Sequence, residues 1–220
     1  REPRGKVAAS DARALAGPVD EALEGSRPPA CRAVVAVGED HGAEAQRARL
    51  VTAYAKNKES GALEAVPHRP EFGSRSRPPQ GNGGLYSTAQ DYARFCQLLL
   101  AGGTLGGKRI LSEKAVSVLS SVQTGSLPTG FFQNDTWGQR GLNYGWGLGT
   151  CVLRTPHAGV AAMLSPGSFG HGGAWGTQAW IDPVKGVAYV LMVQRANFPN
   201  SDGSEVRRGF QEAAAAGLNR

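Results

Sequence analysis

A chain of 220 residues with 40% hydrophobic and 19% charged residues can bury one sizeable core, so one globular body is expected instead of two independent domains. The 31 glycines and 13 prolines imply many turns, which favours a loop-rich α/β or α+β fold. The formal charge of +6 does not indicate nucleic-acid binding, because no aromatic side chains alternate with the basic ones to stack on bases.

Cysteine usage and hydropathy argue against three further classes of protein. Cys31, Cys96 and Cys151 are few and far apart, which indicates neither a disulfide framework nor a metal site. The longest apolar run, 187–193, is far too short to cross a bilayer. We therefore predict a soluble chain with no membrane span, no cofactor and no metal, and the residues point to no particular compartment.

The first 44 residues form a poorly specified basic lead-in without sustained hydrophobic periodicity. Its one short apolar run, 33–37, predicts an isolated strand. We place the folded body at 45–220 and the lead-in, 1–44, outside it. Within the body, residues 46–56 (QRARLVTAYAK) carry apolar side chains at helical spacing and predict a short helix. The stretch 67–84 is too rich in proline and glycine for a regular element.

A helix over 88–101 is the clearest local signal. Ser87 is the expected N-cap, with Gln90 three residues later, and Gly102 ends the helix. Apolar side chains recur at i, i+3, i+4 and i+7, so one face is buried. Cys96 lies in that apolar stripe and is predicted to be a small buried hydrophobe.

The remaining elements are predicted from capping residues and β-rich runs. A second helix is predicted over 112–120, with Ser112 as its N-cap. Residues 144–153 (YGWGLGTCVL) predict a single strand whose alternate glycines allow a neighbouring backbone to approach closely. The runs 177–182 and 187–194 predict an antiparallel hairpin, and 204–216 a final helix lying across it.

Five segments resemble, in order, the C-terminal half of the β-lactamase-related serine hydrolases. This group includes class C β-lactamases, β-lactamase-type carboxylesterases, D-amino-acid peptidases and penicillin-binding-protein-like enzymes. The segments are GNGGLYSTAQDYARFCQLLLAGG (81–103), KRILSEKAV (108–116), NYGWGLG (143–149), SFGHGGAWGTQAWIDP (168–183) and VAYVLMVQR (187–195). The resemblance covers roughly residues 45–217.

The resemblance implies an α/β fold of the α+β type, a partial β-lactamase/transpeptidase-like fold. An antiparallel sheet flanked by helices is then expected to face a mostly helical lobe across the active site. It also implies acyl-enzyme chemistry, in which a serine of a Ser-x-x-Lys motif attacks and a Tyr-x-Asn motif supplies a second proton acceptor. A third motif, Lys or His followed by Thr, Ser or Gly and then Gly, lines the cleft on a strand.

Only this third motif has a counterpart, in His171-Gly172-Gly173 (171–173), since neither Ser-x-x-Lys nor Tyr-x-Asn occurs in the sequence. Both belong upstream in the family, so the attacking serine is expected to come from polypeptide outside these 220 residues. Gly172 stands where relatives carry Thr or Ser, and it lacks the hydroxyl that helps bind a β-lactam carboxylate. This difference favours ester substrates over β-lactams.

The resemblance assigns roles to six residues. His171 is the expected donor of a hydrogen bond or positive charge, and the backbone N–H of Ala174 the expected strand-side donor to the oxyanion. Substrate contacts are expected from Gly172, Gly173, Trp175 and Tyr86. The alternative for His171 is a buried, hydrogen-bonded structural histidine, and Trp180 is expected in the core or the cleft wall.

Three functions stay open at this level. The chain is part of a serine hydrolase acting on a small-molecule ester, amide or lactam, and is inactive alone. Alternatively, it is a non-catalytic ligand-binding pseudoenzyme, or a truncated fragment without independent activity. The partner expected in the first case is the missing N-terminal half, and self-association is expected in the last, because a sheet edge and apolar surface are left exposed.

Overall fold

The structure, a computed structural model, describes residues 34–35, 49–66, 85–129, 141–196, 198 and 204–218. Contacts divide the chain into two units, Arg1–Arg32 and Ala33–Arg220, and all described residues belong to the second. Most of the basic lead-in and the proline- and glycine-rich stretch 67–84 lie outside the described residues. In the described part of the chain, no helix is long and apolar enough to cross a membrane.

An antiparallel five-stranded sheet of order β11-β10-β9-β8-β7 forms the centre of the fold. The described strands are β1 (Val34–Val35), β2 (Ala53–Lys56), β3 (Leu63–Val66), β4 (Leu85–Tyr86), β5 (Thr104–Leu105), β6 (Lys108–Arg109), β7 (Tyr144–Trp146), β8 (Cys151–Leu153), β9 (Phe169–Gly172), β10 (Gln178–Asp182), β11 (Val187–Leu191) and β12 (Arg195–Ala196). The described helices are α1 (Ala89–Leu100), α2 (Glu113–Ser120), α3 (Glu205–Gly217) and a 3₁₀ helix (Gly159–Met163).

Both faces of this sheet are covered by helices. On one face, Phe169 packs with residues of α1 and α2, including the buried Cys96. On the other face, Trp180 packs with the 3₁₀ helix, and Phe210 of α3 lies against the same cluster. Since neighbouring residues of a strand point to opposite faces, β10 contributes to both cores and is buried along its whole length. This arrangement confirms the predicted antiparallel sheet flanked by helices.

Helix α1 confirms the prediction, but its cap is Thr88 and not Ser87. The Thr88 hydroxyl oxygen accepts from the N–H of Asp91 at 3.1 Å. The Thr88 hydroxyl also donates to the Asp91 carboxylate at 3.0 Å, so two hydrogen bonds between these residues stabilise the start of α1 at this position. Cys96 is 1% exposed, as predicted, and burial raises the pKa of its thiol to about 11. The predicted cap of α2, Ser112, accepts from Ala115 N–H at 3.1 Å.

The helix predicted over 46–56 is wrong where the structure describes it, because residues 53–56 form strand β2. Ala53 and Ala55 are buried while Tyr54 and Lys56 are exposed, which is the period of a strand. β2 pairs antiparallel with β3 and parallel with β12. Backbone hydrogen bonds to the nearby β3 and to the distant β12 therefore override the local helical spacing.

Two further strand predictions need correction. The single strand over 144–153 is a hairpin of β7 and β8, in which the N–H of Gly147 donates to the carbonyl of Thr150 at 2.8 Å. The expected close approach occurs at Gly147, where a Cβ would overlap the carbonyl oxygen of Leu119. The strand predicted at 33–37 is not isolated, because β1 pairs antiparallel with β4.

The hairpin of β10 and β11 confirms the prediction, and Asp182 organises its turn. The fully buried Asp182 carboxylate accepts from the N–H groups of Ser165 (2.9 Å), Val184 (3.1 Å) and Lys185 (3.0 Å). Burial alone raises the pKa of Asp182. The hydrogen bonds from Lys185 and Ser165 outweigh that effect, so the pKa lies below its ordinary value.

We expect Asp182→Asn to lower the free energy of unfolding by about 1–3 kcal/mol near neutral pH, because one acceptor of a buried network is lost. With a folded-state pKa below the unfolded value of about 3.9, the carboxylate stabilises the fold above that pH. This contribution is lost as pH falls through the folded-state pKa. Urea unfolding of both proteins across the acid range should show a shallower pH dependence for the variant.

Glu212→Gln is the matched control, since Glu212 forms an exposed ion pair with Arg208 at 3.6 Å. It should change stability by less than about 0.5 kcal/mol. The same acid dependence in D182N and the unmodified chain would contradict the assigned role of Asp182.

Candidate active site

The 171–173 motif lies at the end of β9, where a tight turn leads into β10. His171 and Gly172 are the last two residues of β9. The N–H of Gly173 donates to the carbonyl of Thr177 at 2.7 Å, and the N–H of Gly176 donates to the carbonyl of Gly173 at 3.1 Å. These two bonds close residues 173–177 into one turn, which we call the 173–177 turn.

The His171 side chain is half-buried and is oriented by two contacts. Its ring stacks on Trp146 of β7, with 5.3 Å between ring centroids and 28° between ring planes. Its Nδ1 makes a hydrogen-bond contact with the carbonyl oxygen of Gly172. A carbonyl oxygen can only accept a hydrogen bond, so Nδ1 carries the proton in this contact. Nε2 is the ring nitrogen that takes no part in it.

Gly172 is buried, and Arg207 of α3 occupies the space beside it. A Cβ at Gly172 would lie 2.6 Å from the guanidinium carbon of Arg207. The Thr or Ser that relatives are expected to carry here therefore does not fit without moving Arg207. Packing against Arg207 therefore favours glycine at position 172, in addition to the proposed effect of this glycine on substrate choice.

The rest of the turn differs in exposure. Gly173 is half-buried, and a Cβ on it would overlap the hydroxyl of Thr177. Ala174 is exposed. Trp175 is half-buried, and its carbonyl accepts from the N–H of Arg195 at 3.0 Å. The structure thus places 171–175 together on one strand end and turn.

Tyr86 belongs to a different part of the fold. It is half-buried in β4, directly before α1, in the two-stranded sheet with β1. Its proposed contact with substrate stays a prediction. Trp180 is fully buried in the core, which is one of the two positions expected for it.

Sequence reasoning missed two residues that shape this site, Trp146 and Arg207. Trp146 had a signal, because it is an aromatic residue between two glycines in one of the resembling segments. Arg207 had none, since an arginine in an amphipathic helix ordinarily lies on the solvated face. Among the residues that the structure describes, no group of three His, Cys, Asp or Glu side chains is placed to hold a metal ion.

Replacing Trp146 with alanine is expected to release the His171 ring, because such stacking contributes on the order of 0.5–1.5 kcal/mol. Loss of the indole ring current should move the His171 ring-proton resonances downfield, while Trp146→Phe should retain part of the shift. NMR spectra of the histidine ring protons measure this, with the other three histidines as internal controls. Identical His171 resonances in W146A and the unmodified chain would show that the rings do not stack in solution.

The antiparallel sheet with helices on both faces is the architecture expected of a β-lactamase/transpeptidase-like fold. Residues 41–214 match the sequence profile of the Beta-lactamase family, so the chain belongs to that family. Its fold is similar to that of a simvastatin synthase mutant from Aspergillus terreus, with a TM-score of 0.60 at 18% identity over 80% of this chain and 44% of that one. It is also similar to EstCE1, a hydrolase with promiscuous acyltransferase activity, with a TM-score of 0.56 at 19% identity over 84% of this chain and 46% of that one.

Curated relatives match at higher identity over shorter stretches. Protein Rv1367c of Mycobacterium tuberculosis is 31% identical over 160 residues, which is 69% of this chain and 37% of that protein. A Salmonella newport protein named as a D-alanyl-D-alanine carboxypeptidase is 33% identical over 119 residues, or 54% of this chain and 24% of that protein. The chain therefore spans less than half the length of these relatives.

Proposed function

We propose that this chain forms the sheet-side wall of the cleft of a serine hydrolase that acts through an acyl-enzyme on a small-molecule ester, amide or lactam. The observation that carries the proposal is the 173–177 turn beside His171, at the end of a central strand and exposed at Ala174. Family membership supports the reaction class. The absence of Ser-x-x-Lys from the sequence supports a nucleophile and base that lie in polypeptide outside these 220 residues.

Each part of the site has a step in the proposed reaction. The serine gives its proton to the base, its oxygen bonds to the carbonyl carbon of the substrate, and the C=O π electrons become the negative charge on the carbonyl oxygen. When the C=O bond forms again, the bond to the alcohol or amine leaving group breaks, and the acyl-enzyme is left for water to hydrolyse. The N–H of Ala174 donates to this oxygen, where charge appears only as the transition state is approached. His171, held by Trp146 and by the Gly172 carbonyl, donates from Nε2 when doubly protonated and then also adds positive charge.

The first experiment asks whether the chain alone is inactive. The purified 220-residue chain is expected to hydrolyse neither a chromogenic ester nor a chromogenic β-lactam above the buffer rate. It should also take up no label from a serine-reactive phosphonate. Turnover that the phosphonate abolishes, with the label on a serine of this chain, would overturn the assignment of the nucleophile to other polypeptide.

The second experiment asks whether the turn serves a hydrolase. The coding DNA upstream of Arg1 is expected to encode Ser-x-x-Lys and Tyr-x-Asn in the same frame, and the longer product should hydrolyse the ester in preference to the β-lactam. In that product, Ala174→Pro removes the N–H and should lower kcat about 10²–10³-fold, while Ala174→Gly retains the N–H and most of the activity. Equal activity of the two variants would exclude Ala174 as the oxyanion donor.

Thermal unfolding separates the remaining alternatives. An inactive chain that unfolds cooperatively as a monomer would support the ligand-binding pseudoenzyme. Aggregation, or a broad transition without cooperativity, would support a fragment with no independent role.

A further inference from the structure

We infer that Arg207 is a positioning residue, whose buried guanidinium sets the direction of the Ala174 N–H by binding the carbonyl groups of the 173–177 turn. The inference deepens the proposed function. It rests on that function only for the role of the Ala174 N–H as a donor to the oxyanion. The contact itself joins α3 to the 173–177 turn at the end of β9, and all of its residues belong to this chain.

Three carbonyl groups of the turn converge on this one side chain. Arg207 is 1% exposed, and its Nη2 donates to the carbonyl oxygens of Gly173 and Thr177, each at 2.7 Å. Its Nε also donates to the carbonyl of Gly176 at 3.4 Å. A planar guanidinium with several donors in fixed directions can hold several carbonyls at once, which a single ammonium group cannot do with the same geometry.

The contact with Gly173 determines where the neighbouring N–H points. The carbonyl of Gly173 and the N–H of Ala174 belong to one planar peptide group, and the described chain contains no cis peptide bond. In a trans peptide the C=O and the N–H point in opposite directions. Because the Gly173 carbonyl points at the guanidinium of Arg207, the Ala174 N–H points away from that guanidinium.

Burial makes this arrangement specific. A guanidinium out of contact with water is costly unless it is hydrogen-bonded, so its bonds to the turn carbonyls help to stabilise Arg207 in this buried position. Gly172 provides the necessary space, since a Cβ there would lie 2.6 Å from the Arg207 guanidinium carbon. The packing of α3 through Phe210 and Ala214 on the same face keeps Arg207 against the turn.

The test uses the isotope-labelled chain and three variants. Arg207→Met keeps the unbranched apolar stem and removes the guanidinium with its donors, and Arg207→Lys keeps the stem and the charge but not the planar arrangement of donors. Arg208→Met is the matched control, because the neighbouring Arg208 is exposed. In R207M, the amide hydrogens of Gly173 and Gly176 should exchange at least about tenfold faster, with a shifted Ala174 amide resonance and unchanged exchange in β10 and β11.

R207K is expected to fall between R207M and the unmodified chain, and R208M should match the unmodified chain. Unchanged turn exchange in R207M, or an equal rise at every amide, overturns the inference. Should R207M fail to fold, hydrogen-bond scalar couplings between the Arg207 guanidinium nitrogens and the carbonyl carbons of Gly173 and Thr177 decide the question in the unmodified chain. Their absence overturns the inference as well.

A kinetic measurement separates the two proposals. In the longer hydrolytic product, R207K should lower kcat about tenfold or more and leave KM for the ester unchanged, because the N–H acts on the oxyanion and not on the bound ester. Faster turn exchange with an unchanged kcat would refute the oxyanion role of Ala174 and leave Arg207 as the residue that orients the peptide. Unchanged exchange would refute the role of Arg207 whatever the activity.

Discussion

Gly170→Ala is expected to lower the free energy of unfolding by about 3 kcal/mol or more, a large part of the stability of a domain of this size. Gly170 lies in β9, between β8 and β10 of the central sheet. A Cβ there would lie 2.9 Å from the carbonyl carbon of Ala179 and 2.9 Å from the Cα of Trp180. Both are backbone atoms of a central strand, so relief of the clash requires two strands to separate.

Gly209→Ala is the matched control for this prediction. Gly209 is exposed within α3, and among the described residues beyond its chain neighbours and the backbone of its own helix, no atom lies within 4 Å of the position its Cβ would take. Because alanine is a better helix former than glycine, G209A should raise stability by about 0.5–1 kcal/mol. Urea unfolding of the three proteins measures both effects, and a G170A midpoint equal to that of the unmodified chain would contradict the packing of β9 against β10.

Trp180→Ala is expected to cost about 3–5 kcal/mol, because it empties the centre of the core on the α3 face. Trp180 is fully buried, and its ring lies 5.8 Å from that of Tyr144. Within the described residues, its indole N–H has no hydrogen-bond partner. Trp180→Phe should therefore cost much less than W180A, since it fills part of the space and removes a buried donor.

Trp175→Ala provides the comparison for the Trp180 variants. Trp175 is only half-buried in the 173–177 turn, so its removal should lower the midpoint of thermal unfolding by much less than W180A does. Calorimetry of the four proteins tests the order W180A, W180F, W175A, unmodified, from least to most stable. Equal midpoints for W180A and W175A would contradict the assignment of Trp180 to the core.

Local patterns predicted the elements whose stabilising contacts are close in the chain. The helices around Cys96 and after Ser112 follow from capping and periodicity, and both are present. The β10–β11 hairpin follows from two β-rich runs joined by a short turn. The pattern did not distinguish helix from strand at 53–56, because alternating and helical spacing overlap in so short a run.

The candidate site shows the same division. The residues of the 171–173 motif are adjacent in the chain, so the motif could be recognised from the residues alone, and the roles it implies stay predictions. The contacts that orient the motif come from elsewhere. Trp146 reaches His171 from β7, and Arg207 reaches Gly173 from 34 residues along the chain.

The sequence by itself determined the three α-helices and the β10–β11 hairpin, because each depends on hydrogen bonds and periodicities among near neighbours. The resemblance of five segments to known proteins, and not local physical chemistry, indicated the family and the place of the 171–173 motif. Only the tertiary structure decided that β7 and β8 form a hairpin, that β2 is a strand, and that Arg207 is buried beneath the 173–177 turn. The physical reason is that a backbone group or a charged side chain takes the partner that removes it from water at least cost. For Arg207 and for the pairing of β2 with β12, that partner is brought near only when the whole chain has folded. The β7–β8 hairpin joins residues that are close in the chain, and its turn was missed because the pattern over 144–153 predicts one strand.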